Sequence, residues 1–322
     1  MREAVRLILG TMTFGEQVFG EDVQKFLQCF FDKGGRELDT AYVYNEGECE
    51  RLLGEALKDI DRSRYSIATK ANPRITGRLD KAAVIDQCTE SLQRLHIDCA
   101  DILYLHFPDP ATPVESALEG CAVLHEAGKF RELGLSNFPA WLVAEAQHIC
   151  QTHGWVRPTV YQGVYNPLSR HAERELDRAL DYYGMRFYAY NPLAGGLLTD
   201  KYSCEDRTLK EGRFVNRPNY QKRYWKDSYF DAIAGIKAAC GAEGISVVEA
   251  SYRWLAFHSM LKPQRGDGIL IGASKLPHLA GNMGMPDGGP LPPALVKTID
   301  AAWALCKADA PEYFTYYTPQ KA

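Results

Sequence analysis

Two hydrophobic periodicities alternate along this chain, and they do so eight times. Short apolar or β-branched runs lie at "RLILGT" (6–11), "RELDT" (36–40), "YSIATK" (65–70), "DILYLH" (101–106), "RELGLS" (131–136), "TVYQGVY" (159–165), "RFYAYN" (186–191) and "GILIGA" (268–273). Between them are segments of helical period. In "EDVQKFLQCFFDKG" (21–34), Val23, Phe26, Leu27, Phe30 and Phe31 fall on one face, and Gly34 and Gly35 can end the helix. "KAAVIDQCTESLQRL" (81–95) and "VESALEGCAVLHEAGK" (114–129) read the same way. Eight strands alternating with helices over about 300 residues predict an α/β chain closed into a (β/α)8 TIM barrel, with its active site at the C-terminal ends of the strands. A doubly wound sheet would carry G-x-G-x-x-G after its first strand, and none follows here. No linker divides residues 1–322, so a single domain is expected. A long loop at about 192–227, rich in Gly, Lys, Arg and Tyr, crosses the barrel mouth. A tail at about 292–322 contains a helix at 294–307.

A composition of 46% hydrophobic and 24% charged residues is that of a globular chain. A net charge of -4, from 37 basic and 41 acidic residues, gives no electrostatic case for nucleic acid or an anionic membrane. No apolar run approaches the roughly 20 residues that span a bilayer. "MREAVRLILG" lacks the apolar core and cleavage site of a secretory signal, so a cytoplasmic protein is expected. Nine cysteines without C-x-x-C, and eight histidines without H-E-x-x-H, argue against a disulfide framework and a zinc site. Most of the cysteines are expected to be reduced and buried as small apolar residues.

If chemistry sits at strand ends, the residues there are the candidates. Strand two ends at Asp39, with Tyr44 just beyond; strand three ends at Lys70 and strand four at His106. Strand five gives Ser136 and Asn137, strand six Gln162, strand seven Tyr190 and Asn191, strand eight Ser274 and Lys275. Each has an ordinary reading alone: a solvated lysine, a satisfied histidine, a hydrogen-bonding core glutamine. One rim that collects an acid, a phenol, an ammonium and an imidazole on successive strands points to a reaction. A carbonyl reduced by hydride needs a proton at oxygen. A phenol can deliver it, and a nearby ammonium lowers its pKa from about 10. Tyr44 is then the acid and Lys70 the cation expected to lower its pKa. Asp39 holds Lys70 charged and in place, and His106 orients and polarises the carbonyl.

These residues resemble the aldo-keto reductases, whose Asp, Tyr, Lys and His tetrad is matched by "LDTAYVYNEGECE", "IATK" and "LYLHFPD". "GKFRELGLSNF", "PTVYQGVYN", "FYAYNPLAGGLLTDKY" and "GASKLPHLAGN" extend the resemblance from about residue 7 to residue 314. "NPLAGGLLTDKY", "GRF" and "KRYWK" are similar to the branch of aflatoxin aldehyde and succinic semialdehyde reductases. The resemblance implies an NADPH/NADP cofactor. It assigns Ser136, Asn137 and Gln162 to the nicotinamide carboxamide and Tyr190 to a stack on the ring. Asn191, Pro192, Leu193, Gly195, Leu197 and Lys201 would wrap the pyrophosphate, and Arg213 would reach the adenosine phosphate end. Ser274, Lys275, His278 and Asn282 would grip the 2′-phosphate and adenine, near a helix N-terminus that favours anions. Tyr220 and Arg223, with His106, would meet the substrate.

Two positions depart from the family pattern. His278 stands where relatives commonly carry Gln or Arg. Thr315, in "PEYFTYY", stands where carboxylate-binding members end in arginine, which implies an uncharged or aromatic carbonyl substrate. The tail beyond it either lines the pocket through Tyr316 or Tyr317 or extends into solvent. The branch also implies a homodimer. Two rival readings are a Schiff-base aldolase at Lys70 and a cofactor-bound regulatory subunit of the same fold. Asp39 is expected to oppose the aldolase by raising the lysine pKa.

Overall fold

A computed structural model describes residues 5–199, 201–202 and 213–318. Eight parallel strands close into a barrel in chain order. They are β1 (Arg6–Gly10), β2 (Glu37–Asp39), β3 (Ser66–Ala71), β4 (Ala100–Leu105), β5 (Phe130–Ser136), β6 (Pro158–Val164), β7 (Arg186–Tyr190) and β8 (Gly268–Ile271). All eight lie within a residue or two of the sequence expectation. Strands buried on both faces read as continuous apolar runs, which is why they were legible.

The outer ring begins with α1 (Glu21–Asp32), α2 (Glu48–Leu57), α3 (Lys81–Leu95), α4 (Val114–Glu126), α5 (Ala140–His153) and α6 (Leu176–Tyr183). The interval after β7 contributes α7 (Arg213–Asn216), α8 (Pro218–Tyr224), α9 (Asp227–Glu243) and α10 (Val247–Phe257). After β8 come α11 (Leu276–Gly284) and α12 (Pro293–Cys306). Local chemistry sets the helix ends. Asp80 caps α3 by accepting from the Ala83 N–H, and Ser246 caps α10 by accepting from Glu249. Gly34, at φ 83, turns the chain out of α1 as expected. No described helix is long and apolar enough to cross a membrane.

The barrel interior is filled, not hollow. Ile8, Ala68, Ile102, Tyr104, Val160, Tyr188 and Leu270 form one inner cluster. Tyr104 needs space that its neighbour provides: it pairs with Gly134 on β5, where a Cβ would come within 2.3 Å of the Tyr104 ring. Gly134→Ala is therefore expected to destabilise the fold by about 1–3 kcal/mol through overpacking. Denaturant unfolding checks this, and an unchanged midpoint would mean that the ring moves freely.

The tail does not simply extend into solvent. The Thr315 N–H donates to the Asn137 carbonyl at 3.1 Å, and the Tyr317 N–H to that of Pro108 at 2.9 Å. These bonds lay the tail along the rim beside β4 and β5. Thr315 faces the main cleft, while Tyr316 lines a small apolar cavity with Pro108, Phe138 and Trp141.

Candidate active site

A cleft of about 1510 Å³ opens at the C-terminal ends of the strands. Asp39, Tyr44 and His106 line it, as do Ser136, Asn137, Gln162 and Tyr190. Asn191, Pro192, Leu193, Gly195 and Lys201 line it from the loop after β7, with Tyr220 and Arg223 from α8. Ser274, His278 and Asn282 line it from the β8 side. Three expected residues stand elsewhere. Lys70 is fully buried beneath the cleft floor. Leu197 is packed into the core at 1% exposure, because the turn that carries it points its side chain inward. Lys275 is the residue preceding α11, and its side chain is not part of the lining. The side chain of Arg213 lies outside the described residues.

The floor is a set of short polar contacts. Lys70 Nζ donates to Asp39 Oδ1 at 2.5 Å and to the Thr40 carbonyl at 2.6 Å. Asp39 Oδ2 accepts from Gln162 Nε2 at 2.7 Å. The ammonium sits 5.3 Å from the centre of the Tyr44 ring and 5.5 Å from that of Tyr104, within cation–π reach of both. Burial pushes the Asp39 carboxyl up and the Lys70 ammonium down, and each partner offsets part of the other's shift. Asp39 does push Lys70 up, as expected, but burial outweighs the pairing and leaves the ammonium lowered on balance. What opposes a Schiff base at Lys70 is access: its nitrogen is bonded within the protein and away from the cleft surface.

Tyr44 opens a short 3-10 turn, Tyr44–Gly47, in which Asn45 and Glu46 adopt left-handed backbone. This turn bends the chain back over the mouth. The phenol hydroxyl has no hydrogen-bond partner among the described residues. Burial, then the Asp39 charge, pushes its pKa well above the ordinary value. The sequence expectation was the opposite direction. The correction has a physical cause: enclosure of the ring is the largest effect, and the Asp39 carboxylate offsets the pull of the Lys70 ammonium on the phenol.

The His106 ring meets Tyr44 edge to face, with centroids 5.9 Å apart. Burial, then the Lys70 and Arg74 charges, holds its pKa well below the ordinary value, so the imidazole is neutral. The side chain of Asn137 is largely committed. Nδ2 donates to the His106 carbonyl at 2.9 Å and to Ser136 Oγ at 3.0 Å, while Oδ1 accepts from the Tyr190 hydroxyl at 2.7 Å. Asn137 and Asn191 both take left-handed backbone at strand ends, at φ 63 and 58. Asparagine tolerates that region better than most residues. Gly195, at φ 72, lies against Tyr220, where a Cβ would come within 2.6 Å of the ring.

Several lining residues were missed from the sequence: Asn72, Arg74, Phe107, Arg217 and Tyr252. Asn72 and Arg74 lie two and four residues past Lys70, and the Asn-Pro turn signal in "KANPR" marks them as a loop at a strand end. Arg217 Nη2 spans to Glu16 Oε2 at 2.7 Å and Asn45 Oδ1 at 3.3 Å, joining the long loop to the segments after β1 and β2. No sequence signal connects those three.

The cleft suits a phosphate-bearing dinucleotide. Lys201 lines the cleft and Lys275 stands just outside its lining; neither has a carboxylate partner among the described residues, and both charges help hold the nearby His278 imidazole down after burial. Ser274, His278 and Asn282 follow at four-residue spacing along α11 and its N-terminus, where free N–H groups favour anions. The buried Tyr252 hydroxyl, on the cleft wall, also has no hydrogen-bond partner among the described residues.

A sequence model of the Aldo/keto reductase family matches residues 6–304. Aflatoxin B1 aldehyde reductase member 2 of Homo sapiens is 43% identical over 321 residues, covering 96% of this chain and 89% of its own. Aldo-keto reductase family 7 member A3 of Homo sapiens is 42% identical over 318 residues, covering 95% and 96%. A relative of the same name as the first, from Rattus norvegicus, is 42% identical and covers 95% of this chain and 87% of its own.

Proposed function

This chain belongs to the aldo/keto reductase family, and from that premise we propose that it reduces an aldehyde or ketone to an alcohol with NADPH, Tyr44 giving the proton. The observation that carries the reading is convergence. Tyr44 and His106 meet at 5.9 Å on one cleft wall, with the Lys70 ammonium 5.3 Å behind the Tyr44 ring.

A substrate oxygen placed between Tyr44 and His106 accepts a hydrogen bond from each. Bound NADPH supplies the hydride. As negative charge gathers on the oxygen, the imidazole N–H and the phenol stabilise it. The phenol proton then moves to that oxygen, and Lys70 attracts the phenolate left behind. Asp39 and the Thr40 carbonyl keep the ammonium in position. Burial keeps the resting phenol protonated, which is the form that donates. Ser136, Asn137, Gln162 and Tyr190 would hold the nicotinamide end of the cofactor. The loop from Asn191 to Lys201 would hold the pyrophosphate, and Ser274, Lys275, His278 and Asn282 the adenosine end.

The pH dependence follows from the two directions of shift. With the phenol raised above its ordinary value and the imidazole lowered well below its own, neither changes charge between about pH 6.5 and pH 8. Reduction is expected to stay level across that range, whereas oxidation of the alcohol, which needs the phenolate, rises with pH. An acid limb in kcat/KM near the ordinary histidine value of about 6.5 would contradict a neutral His106.

Cofactor choice is tested at Lys275. A hydrogen bond to a charged group is worth about 1.5–3 kcal/mol. Lys275→Ala is expected to weaken NADPH about tenfold or more and to leave NADH nearly unchanged, as measured by fluorescence titration. Equal losses for both would place the 2′-phosphate elsewhere.

The proposed substrate is an uncharged or aromatic aldehyde, since Thr315 puts no charge at the rim and Phe107 offers an aromatic wall. A higher kcat/KM for 2-nitrobenzaldehyde than for succinic semialdehyde is expected. The reverse order, lost in Arg74→Ala, would make Arg74 the recogniser of a substrate carboxylate. The proposed setting is a cytoplasmic homodimer without nucleic-acid or membrane partners.

A further inference from the structure

We propose that Asn72 is a positioning residue that selects the Nε2–H tautomer of His106, the form that can donate to a substrate oxygen. The inference deepens the reductase reading, but the tautomer is a property of the protein before any substrate arrives. Asn72 directly follows β3 and is 1% exposed. Its Oδ1 accepts from the Arg74 backbone N–H at 2.9 Å. That bond decides how the amide is turned, because the reverse orientation would set its NH2 group against another donor. Nδ2 therefore faces His106, 3.0 Å from Nδ1, and donates to it. A ring nitrogen that accepts carries no hydrogen, so the one hydrogen of the neutral imidazole lies on Nε2.

The pair is gripped from both sides. The Asn72 N–H donates to Gln87 Oε1 at 2.8 Å, and Gln87 Nε2 donates back to the Asn72 carbonyl at 3.1 Å, which ties the strand end to α3. The His106 N–H donates to the Ala71 carbonyl at 2.9 Å, and its own carbonyl accepts from Asn137. The ring stacks on Phe107 at 4.8 Å and meets Tyr44 edge-on. The charged groups whose fields reach it, Lys70 on β3 and Arg74 on the following loop, are both cations and oppose a second proton. Asn72 adds what charge alone cannot, a choice between the two nitrogens.

The test is a long-range proton–nitrogen correlation spectrum of protein carrying nitrogen-labelled histidine, with His106 assigned by its loss in His106→Gln. The wild-type ring is expected to show an unprotonated Nδ1 and a protonated Nε2 from about pH 6.5 to pH 8. In Asn72→Asp a carboxylate replaces the donor, so Nδ1 is expected to take up a proton and the ring to titrate within that range. kcat/KM for an aldehyde should then fall as pH rises through that titration, to about 10²-fold below wild type where the ring is neutral and only the doubly protonated ring keeps Nε2–H, while NADPH affinity is kept. A wild-type ring protonated at Nδ1, or an Asn72→Asp ring unchanged from wild type, would overturn the inference. If Asn72→Asp does not fold, the wild-type spectrum alone decides it. The expected tautomer in a protein that turns over no carbonyl would leave the inference standing and remove the reductase reading.

Discussion

Tyr44→Phe is expected to lower kcat/KM for aldehyde reduction by about 10²–10⁴-fold, the range for loss of a positioned general acid. The change removes one oxygen and keeps the ring. The contacts of that ring with His106 and Lys70 therefore persist, and no internal hydrogen bond is broken among the described residues. NADPH affinity and thermal stability are expected to stay near wild type. This combination separates chemistry from folding: a variant that binds cofactor, melts normally and does not turn over has lost the proton donor. Retained turnover would assign the proton to another group, and His106 would be the first candidate.

Lys70→Met is expected to cost about 3–5 kcal/mol of stability as well as activity, because it leaves the Asp39 carboxylate buried without its cation. Exposure decides the size of this effect. Lys25 and Asp22 form an ion pair at 2.9 Å with both side chains more than half exposed, and breaking such a pair costs roughly 0.2–1 kcal/mol. Lys70 and Asp39 have 0% and 3% side-chain exposure. Converting both, in Asp39→Asn with Lys70→Met, is expected to recover most of the stability and none of the activity. Denaturant unfolding and steady-state rates on the two single variants and the double variant measure this. An active double variant would show that no charge is needed beside Tyr44.

The sequence could be read furthest where one rule joined local pattern to position. Apolar runs identified the strands, and the barrel rule turned strand ends into a list that held Asp39, Tyr44 and His106, all at the cleft. Lys70 came from the same rule but stands beneath the floor, since a strand end can point inward as well as outward. The direction of the Tyr44 shift was not legible, because it depends on how completely the fold encloses the ring and on Asp39 offsetting Lys70. Leu197 shares a glycine-rich turn with cleft residues, yet its side chain packs into the core, and only backbone geometry separates the two cases. Asn72 was hidden for another reason. Asn-Pro marks a turn, but the bond to His106 spans 34 residues and exists only once β3 and β4 lie side by side.

The most direct test of the central claim is NADPH consumption by the purified protein with 2-nitrobenzaldehyde, followed by absorbance and matched to the alcohol formed. The expected result is one alcohol per NADPH consumed, at a rate proportional to enzyme and lowered about 10²–10⁴-fold in Tyr44→Phe. Tight NADPH binding without turnover on this or any other aldehyde or ketone would contradict the claim and favour a cofactor-bound regulatory subunit of the same fold.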